Sequence, residues 1–197
     1  MAYIPQQFTT RASDWASLVK KTTLYLERNE EEREKRLAET REIKVSDIVY
    51  LDESGIDNTI CGQYARAPPG KKVFADIKGG KKQRISLIAA YGQQRIVAPM
   101  RFEGYCNTEV FNAWLEQCLI PELKKGQTVI LDNASFHKSA KTKELIENAG
   151  CNIKYLPPYS PDFNPIEQQW AILKARIKKH KTPKQTINQA VDYIFRN

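Results

Sequence analysis

Hydrophobic and polar positions follow two different rhythms along this chain, and the change falls near Asp47. Upstream, residues 1–23 show no clear periodicity, and Tyr25–Ile43 (YLERNEEEREKRLAETREI) is charged almost throughout. Glu31–Lys35 and Glu32–Arg36 fall at the i,i+4 spacing that supports a helix, but apolar positions are too few for a buried stripe. The pattern predicts a solvated helix leading into a domain.

Downstream, IVYLDESGI reads as a short strand rich in β-branched and aromatic residues and ended by Gly55. QYARAPPGKKVFADIKGGKKQR is crowded with Pro, Gly and Lys and reads as a long connection or irregular hairpin. ISLIAAYG and RIVAPMRFEG are apolar runs joined around Gly92-Gln93-Gln94, the signature of a hairpin. TEVFNAWLEQCLIPEL then reads as a helix capped by Thr108, with Phe111, Trp114, Leu115, Cys118 and Leu119 on one apolar stripe that is core packing. TVILDN is a strand, SAKTKELIENAG a helix closed by Gly150, and NIKYLP a further strand. A last helix carries Ile166, Trp170, Leu173 and Ile177 on the side that docks it. Strand, hairpin, helix, strand, helix, strand, helix implies a mixed sheet with helices on its faces, in the α/β class.

Length and charge narrow the picture. The 197 residues fit one domain of ordinary size plus an extension, divided here as 1–44 and 45–197. No apolar run reaches the roughly 18–20 residues that span a bilayer, and the first residues lack a signal-peptide pattern. Four widely spaced cysteines without a CxxC pair read as reduced thiols of an intracellular protein. A net charge of +8 favours a polyanionic partner.

The candidate chemistry is carried by acids. Asp52 and Asp132 each follow an apolar strand run, where α/β sheets bind ligands, although an aspartate there can also simply start a turn. Glu53 competes with Asp52; side chains alternate along a strand, so both cannot face one site, and the pattern leaves the choice open. Between Asp132 and Glu167 lie 34 residues. Locally, Asn164 as N-cap, Pro165 at N1 and Glu167 at N3 make a capping-box arrangement. Four prolines (Pro157, Pro158, Pro161 and Pro165) stiffen the turn before it, which fixes where the helix begins and where Glu167 points. Three carboxylates could hold two Mg²⁺ or Mn²⁺ ions about 3.5–4 Å apart, the arrangement that cleaves or transfers a phosphodiester. There is no Gly-rich phosphate loop, HExxH or GxSxG to support rival chemistries.

Basic residues are candidates for gripping a phosphate backbone: Lys71, Lys72, Lys78, Lys81, Lys82 and Arg84 in the Gly-rich connection, and Lys174, Lys178 and Lys181 on one side of the last helix. His137 lies just past Asp132, near where a phosphate would sit, and joins them as a DNA-binding candidate. Asp57, Asp76 and Asp162 read as turn residues.

YLDESGI, ILDNASFHKS and LPPYSPDFNPIEQQWAILK together resemble the catalytic domain of DDE transposases of the mariner superfamily, in its bacterial insertion-sequence branch. The likeness runs from about Thr23 to the carboxyl terminus. It implies a ribonuclease-H-like fold shared with retroviral integrases, with Asp52, not Glu53, as first metal ligand, Asp132 as second and Glu167 as third. The implied reaction is metal-dependent cutting at the ends of a transposon, followed by attack of the freed 3′-hydroxyl on target DNA. A related nuclease without strand transfer and a silent DNA-binding remnant are the alternatives. The resemblance further implies double-stranded DNA as partner, a homodimer, and location with the bacterial nucleoid in the cytoplasm. Residues 1–44 are too short for the family's two helix-turn-helix modules. They are expected to be a remnant of, or linker to, such a module, with a separate polypeptide as one source of DNA specificity.

Overall fold

A computed structural model describes residues 26–57, 67–72, 74, 84–182 and 185–196. Strand β1 (Ile48–Asp57), β2 (Arg84–Gly92) and β3 (Arg95–Glu103) form an antiparallel meander. Two shorter strands, β4 (Thr128–Leu131) and β5 (Asn152–Tyr155), run parallel to β1, giving the order β3-β2-β1-β4-β5. The β2–β3 hairpin turns at the expected place: Gln93 and Gln94 take φ of 51° and 61°, the mirror-image turn whose twist matches the strands it joins. Strand β3 bulges between the Ile88 and Ala90 pairings, which lets Pro99 sit in the strand. At that bulge the carbonyl of Ala98 accepts the indole N–H of Trp114 at 2.8 Å.

The two faces of the sheet are packed separately. Odd-numbered β1 residues Val49 and Leu51, with Ile88, Ala90, Val129 and Leu131, meet helix α2 (Thr108–Trp114) and helix α3 (Ala140–Asn148). The cap of α2 is Asn107, not Thr108: its Oδ1 accepts the N–H of Val110 at 2.8 Å. The predicted stripe does face inward, with Phe111, Trp114, Leu115 and Leu119 buried. Beyond Trp114 the helix loosens into a π turn (Leu115–Leu119) and a 3-10 turn (Ile120–Glu122), where Pro121 has no N–H to continue the ladder. Ser139 caps α3, and Gly150, at φ 73°, closes it as the sequence predicts.

On the opposite face, Ile56, Ile85, Leu87 and Ala89 pack against α4 (Ile166–His180) and α5 (Ile187–Arg196). A smaller cluster of Ile48, Ile130 and Leu156 lies on this face toward β5, beside α1 (Glu30–Arg41). Helix α1 is shorter than Tyr25–Ile43, and its ion pairs run Arg33–Glu30 and Arg36–Glu39 at i,i+3. Most of it is solvated, as its charge requires, but Arg33 is buried. Among the described residues no helix is long and apolar enough to cross a membrane, and Cys106, Cys118 and Cys151 are free thiols.

Candidate active site

Two neighbouring parallel strands set the first two acids side by side. The β1–β4 register pairs Tyr50 with Ile130; Asp52 and Asp132 each come two residues further along their chains, and both line one cleft. Asp52 lies within β1, which runs past Gly55 to Asp57, and Asp132 follows the last residue of β4. Their exposures differ: Asp52 is 9% exposed, whereas the Asp132 side chain is 47% exposed.

The third acid arrives on α4 after a turn stitched to β1. The amide of Asn164, itself buried, donates to the carbonyl of Leu51 at 3.2 Å, one residue before Asp52. Its Oδ1 accepts the N–H of Ile166 at 3.4 Å, and its carbonyl accepts the N–H of Glu167 at 3.1 Å. The capping box is not completed from the other side, because the N–H of Asn164 donates to the carbonyl of Pro161 at 3.0 Å. Glu167 is exposed and lines the same cleft as Asp52 and Asp132, together with Asn133, Tyr159 and Ser160. One turn along α4, Trp170 donates its indole N–H to Oδ2 of Asp52 at 3.0 Å. Helix α4 therefore both delivers Glu167 and orients Asp52.

The two aspartates sit in opposite electrostatic settings. Burial, followed by the negative charges of Glu167, Glu53 and Asp132, pushes the Asp52 carboxyl up to about 8. For Asp132, burial also works upward, but the His137 ring, the N–H of Ala134 and the charge of Lys138 outweigh it and hold the carboxyl below its ordinary range. His137 is fully buried, with Nδ1 2.6 Å from Oδ1 of Asp132 and Nε2 2.9 Å from Oε1 of Glu53. Two ring nitrogens that both face carboxylates must both carry protons, so the ring is an imidazolium. Burial opposes that charge, yet the two carboxylates raise the His137 pKa to about 9. Phe111 and Phe136 flank the ring, with centroids 4.3 and 4.2 Å away.

This corrects one sequence expectation. His137 cannot grip DNA: it has no exposed surface and serves as the internal counter-charge of Asp132. Glu53 faces away from Asp52, as strand alternation demands, and its partner is that histidine. The alternation and the histidine five positions after Asp132 were the available signals for this tether. Trp170 and Asn164 read in sequence only as core and cap.

The remaining basic candidates among the described residues are scattered. Lys71 and Lys72 are exposed on the connection before β2, while Lys78, Lys81 and Lys82 lie outside the described residues. Arg84 opens β2 with its guanidinium 5.1 Å over the Tyr105 ring and against Gly55, where a Cβ would come within 2.8 Å of its Nε. Lys174 is half-buried and Lys178 exposed, one turn apart on α4. Among the described residues, none of these basic side chains lines the acidic cleft.

Three carboxylates supply only hard oxygen donors, which suits Mg²⁺ or Mn²⁺. The raised pKa of Asp52 reflects first its burial and then the neighbouring negative charges, which a divalent cation would neutralise. Among the described residues no three His, Cys, Asp or Glu side chains converge closely enough to share one ion as they stand. The acids share a cleft rather than a closed coordination shell.

A mixed five-stranded sheet flanked by helices, in this strand order, is the ribonuclease-H-like fold, and solved structures match it. The Mos1 strand transfer complex aligns over 93% of this chain and 59% of its own, at 15% identity and TM-score 0.68. The catalytic domain of Mos1 mariner transposase aligns over 90% of this chain and 85% of its own, at 14% identity and TM-score 0.57. A simian T-cell lymphotropic virus intasome aligns over 75% of this chain and 46% of its own, at 12% identity and TM-score 0.51. The chain thus spans about 59% of the Mos1 chain in the strand transfer complex. No curated protein matches it. Residues 47–188 match the family described as DDE superfamily endonuclease, and the chain belongs to that family.

Proposed function

We propose that this chain is the catalytic domain of a DNA transposase of the mariner superfamily, in its bacterial insertion-sequence branch, acting on double-stranded DNA in the cytoplasm. Asp52, Asp132 and Glu167 are the catalytic acids and the ligands of two Mg²⁺ or Mn²⁺ ions. The observation that carries this reading is that three acids from three separate elements line one cleft, where burial, and then the charge of the neighbouring acids, pushes Asp52 to about 8. The kinship with the endonuclease family and the fold shared with Mos1 complexes, some crystallised with Mn or Mg, support it.

Bound ions would activate water or a 3′-hydroxyl and stabilise the leaving oxygen. The protein's own residues prepare for that. Asp132 stays anionic because the His137 imidazolium neutralises it from behind, through Oδ1. Trp170 fixes the rotamer of Asp52 by donating to Oδ2, and Asn164 sets the distance between β1 and the helix that carries Glu167. Lys71, Lys72, Lys81, Lys82, Arg84, Lys174 and Lys178 would hold the phosphate backbone. Cutting at transposon ends and strand transfer into target DNA follow as one reaction at one site. A homodimer on paired ends, with DNA specificity supplied by a helix-turn-helix polypeptide, completes the proposal.

Supercoiled plasmid and end-matched oligonucleotides, incubated with Mn²⁺ or with EDTA, test it. Metal-dependent nicking that disappears in Asp132→Ala supports the enzyme, and joined products establish transfer. Cleavage without joining would reduce the chain to a nuclease of the same fold. Binding with no cleavage under any metal would leave a DNA-binding remnant.

A further inference from the structure

The proline-rich turn that delivers Glu167 is gripped from two sides. On one side Asn164 ties it to β1. On the other stands a single residue of α1, a helix that the charge pattern marks as solvated and that precedes the matched family span of 47–188. The Arg33 side chain is only 6% exposed, and every guanidinium nitrogen is engaged. One terminal nitrogen donates to Oγ of Ser160 at 2.7 Å and to Oδ1 of Asp162 at 3.1 Å; the other donates to Oδ2 of Asp162 at 2.7 Å. Nε donates to Oε2 of Glu30 at 3.1 Å, and the guanidinium carbon lies 4.1 Å over the Phe163 ring. Ser160 passes the contact on, donating to the carbonyl of Pro158 at 3.1 Å.

One side chain therefore fixes four residues of the turn: Ser160, Asp162 and Phe163 directly, and Pro158 through Ser160. Apolar packing would hold α1 in place with rotational slack. A planar fork on a carboxylate, clamped against an aromatic ring, also specifies orientation. The turn so oriented carries a strained residue, Tyr159 at φ 57°, and ends at Asn164, three positions before Glu167. It also forms a wall of the cleft, through Pro157, Pro158, Tyr159, Ser160 and Pro161.

We propose that Arg33 is a positioning residue for the third acid, so that α1 is part of the catalytic unit and not a linker to it. The proposal rests on reading Glu167 as a metal ligand. Whatever is joined to the amino-terminal side of α1 then acts on the cleft through the Arg33 side chain and its contacts with Ser160, Asp162 and Phe163.

The full chain carries the test, as Arg33→Lys, which keeps charge but loses the fork, alongside Arg33→Ala and Asp162→Asn. Two properties are measured without DNA: hydrogen exchange of backbone amides in a peptide spanning residues 156–168, and Mn²⁺ binding from the electron paramagnetic resonance of the free ion. The Mn²⁺ titration is repeated in a Glu167→Gln background. Exchange should quicken in that peptide while amides of β1, β2 and β4 stay protected. Mn²⁺ should bind about tenfold more weakly, the low end for loss of an outer-shell support, and Arg33→Lys should add nothing once Glu167 is neutralised. Unchanged exchange in the turn overturns the proposal, as does equal weakening of Mn²⁺ binding in both backgrounds, which would mean general loosening. If Glu167→Gln itself leaves Mn²⁺ binding intact while exchange still quickens, the fault lies in the metal reading of Glu167, and the role of Arg33 in placing a ligand falls with it. Should Arg33→Ala fail to fold, Arg33→Lys and Asp162→Asn still give each of these readings.

Discussion

Helices α1 and α4 converge on the same proline-rich turn and are held by opposite kinds of chemistry. Helix α4 is docked by an apolar stripe: Ile166, Trp170 and Ile177 are each at most 1% exposed against Ile56, Leu87 and Ala89. Helix α1 has one buried residue, and it is an arginine. Hydrophobic burial is strong but tolerant of direction, whereas a bidentate ion pair contributes less stability and fixes geometry more tightly. The difference suggests a division of labour in which α4 supplies the stability of the site and α1 its precision.

The largest expected effect is on the α4 side. Trp170→Ala removes a buried indole and the donor to Asp52, and should cost about 3–5 kcal/mol in urea unfolding. Trp170→Phe, which keeps most of the packing, should cost clearly less. Next comes the α1 side. Arg33→Ala should cost about 2–3 kcal/mol, because it strips hydrogen bonds from Ser160 and from a partly exposed carboxylate. Replacing the pair together, Arg33→Met with Asp162→Ala, should recover most of that stability, as apolar substitutes for buried pairs often do. The fast exchange of the turn should persist. If stability and turn order recover together, the proposed contrast between the helices is gone.

The smallest effect sharpens the contact of α4 with the acids. In the folded, metal-free protein Asp52 keeps its proton up to about 8, while the unfolded chain releases it near the ordinary 3.8. The stability this group contributes is complete below the unfolded value and is lost as pH rises toward 8. Asp52→Asn lacks that loss, so in EDTA its advantage over the parent should grow from pH 4 to pH 8, reaching at least about 1 kcal/mol. A thermal or urea series at several pH values measures it; a constant difference across the series would contradict the burial argument.

The parts of the fold that obey a period were readable in the sequence. The hairpin at Gln93-Gln94, the stripe of α2 and the inward face of α4 all fell where alternation and helical spacing put them. So did the opposite orientations of Asp52 and Glu53, since a strand can give each face only alternate residues. What escaped is chemistry made by single residues far apart in the chain. Nothing in the local pattern around Arg33 distinguishes it from Arg28 or Arg36, because its partners are 127 and 129 residues away. His137 was misassigned for a related reason: a histidine in a polar loop after a strand looks exposed until its two carboxylates are seen to enclose it.

The link between Asn164 and Leu51 bears on how the region between the second and third acids can vary. Because a side-chain amide locks the start of α4 to a main-chain acceptor on β1, the address of Glu167 is written on β1 and not in the number of residues that follow Asp132. Lengthening the surface corner near Gly150 would lengthen the route without shifting the destination. Relatives with a different count between these acids could thus keep the same cleft, provided an amide remains three positions ahead of the carboxylate.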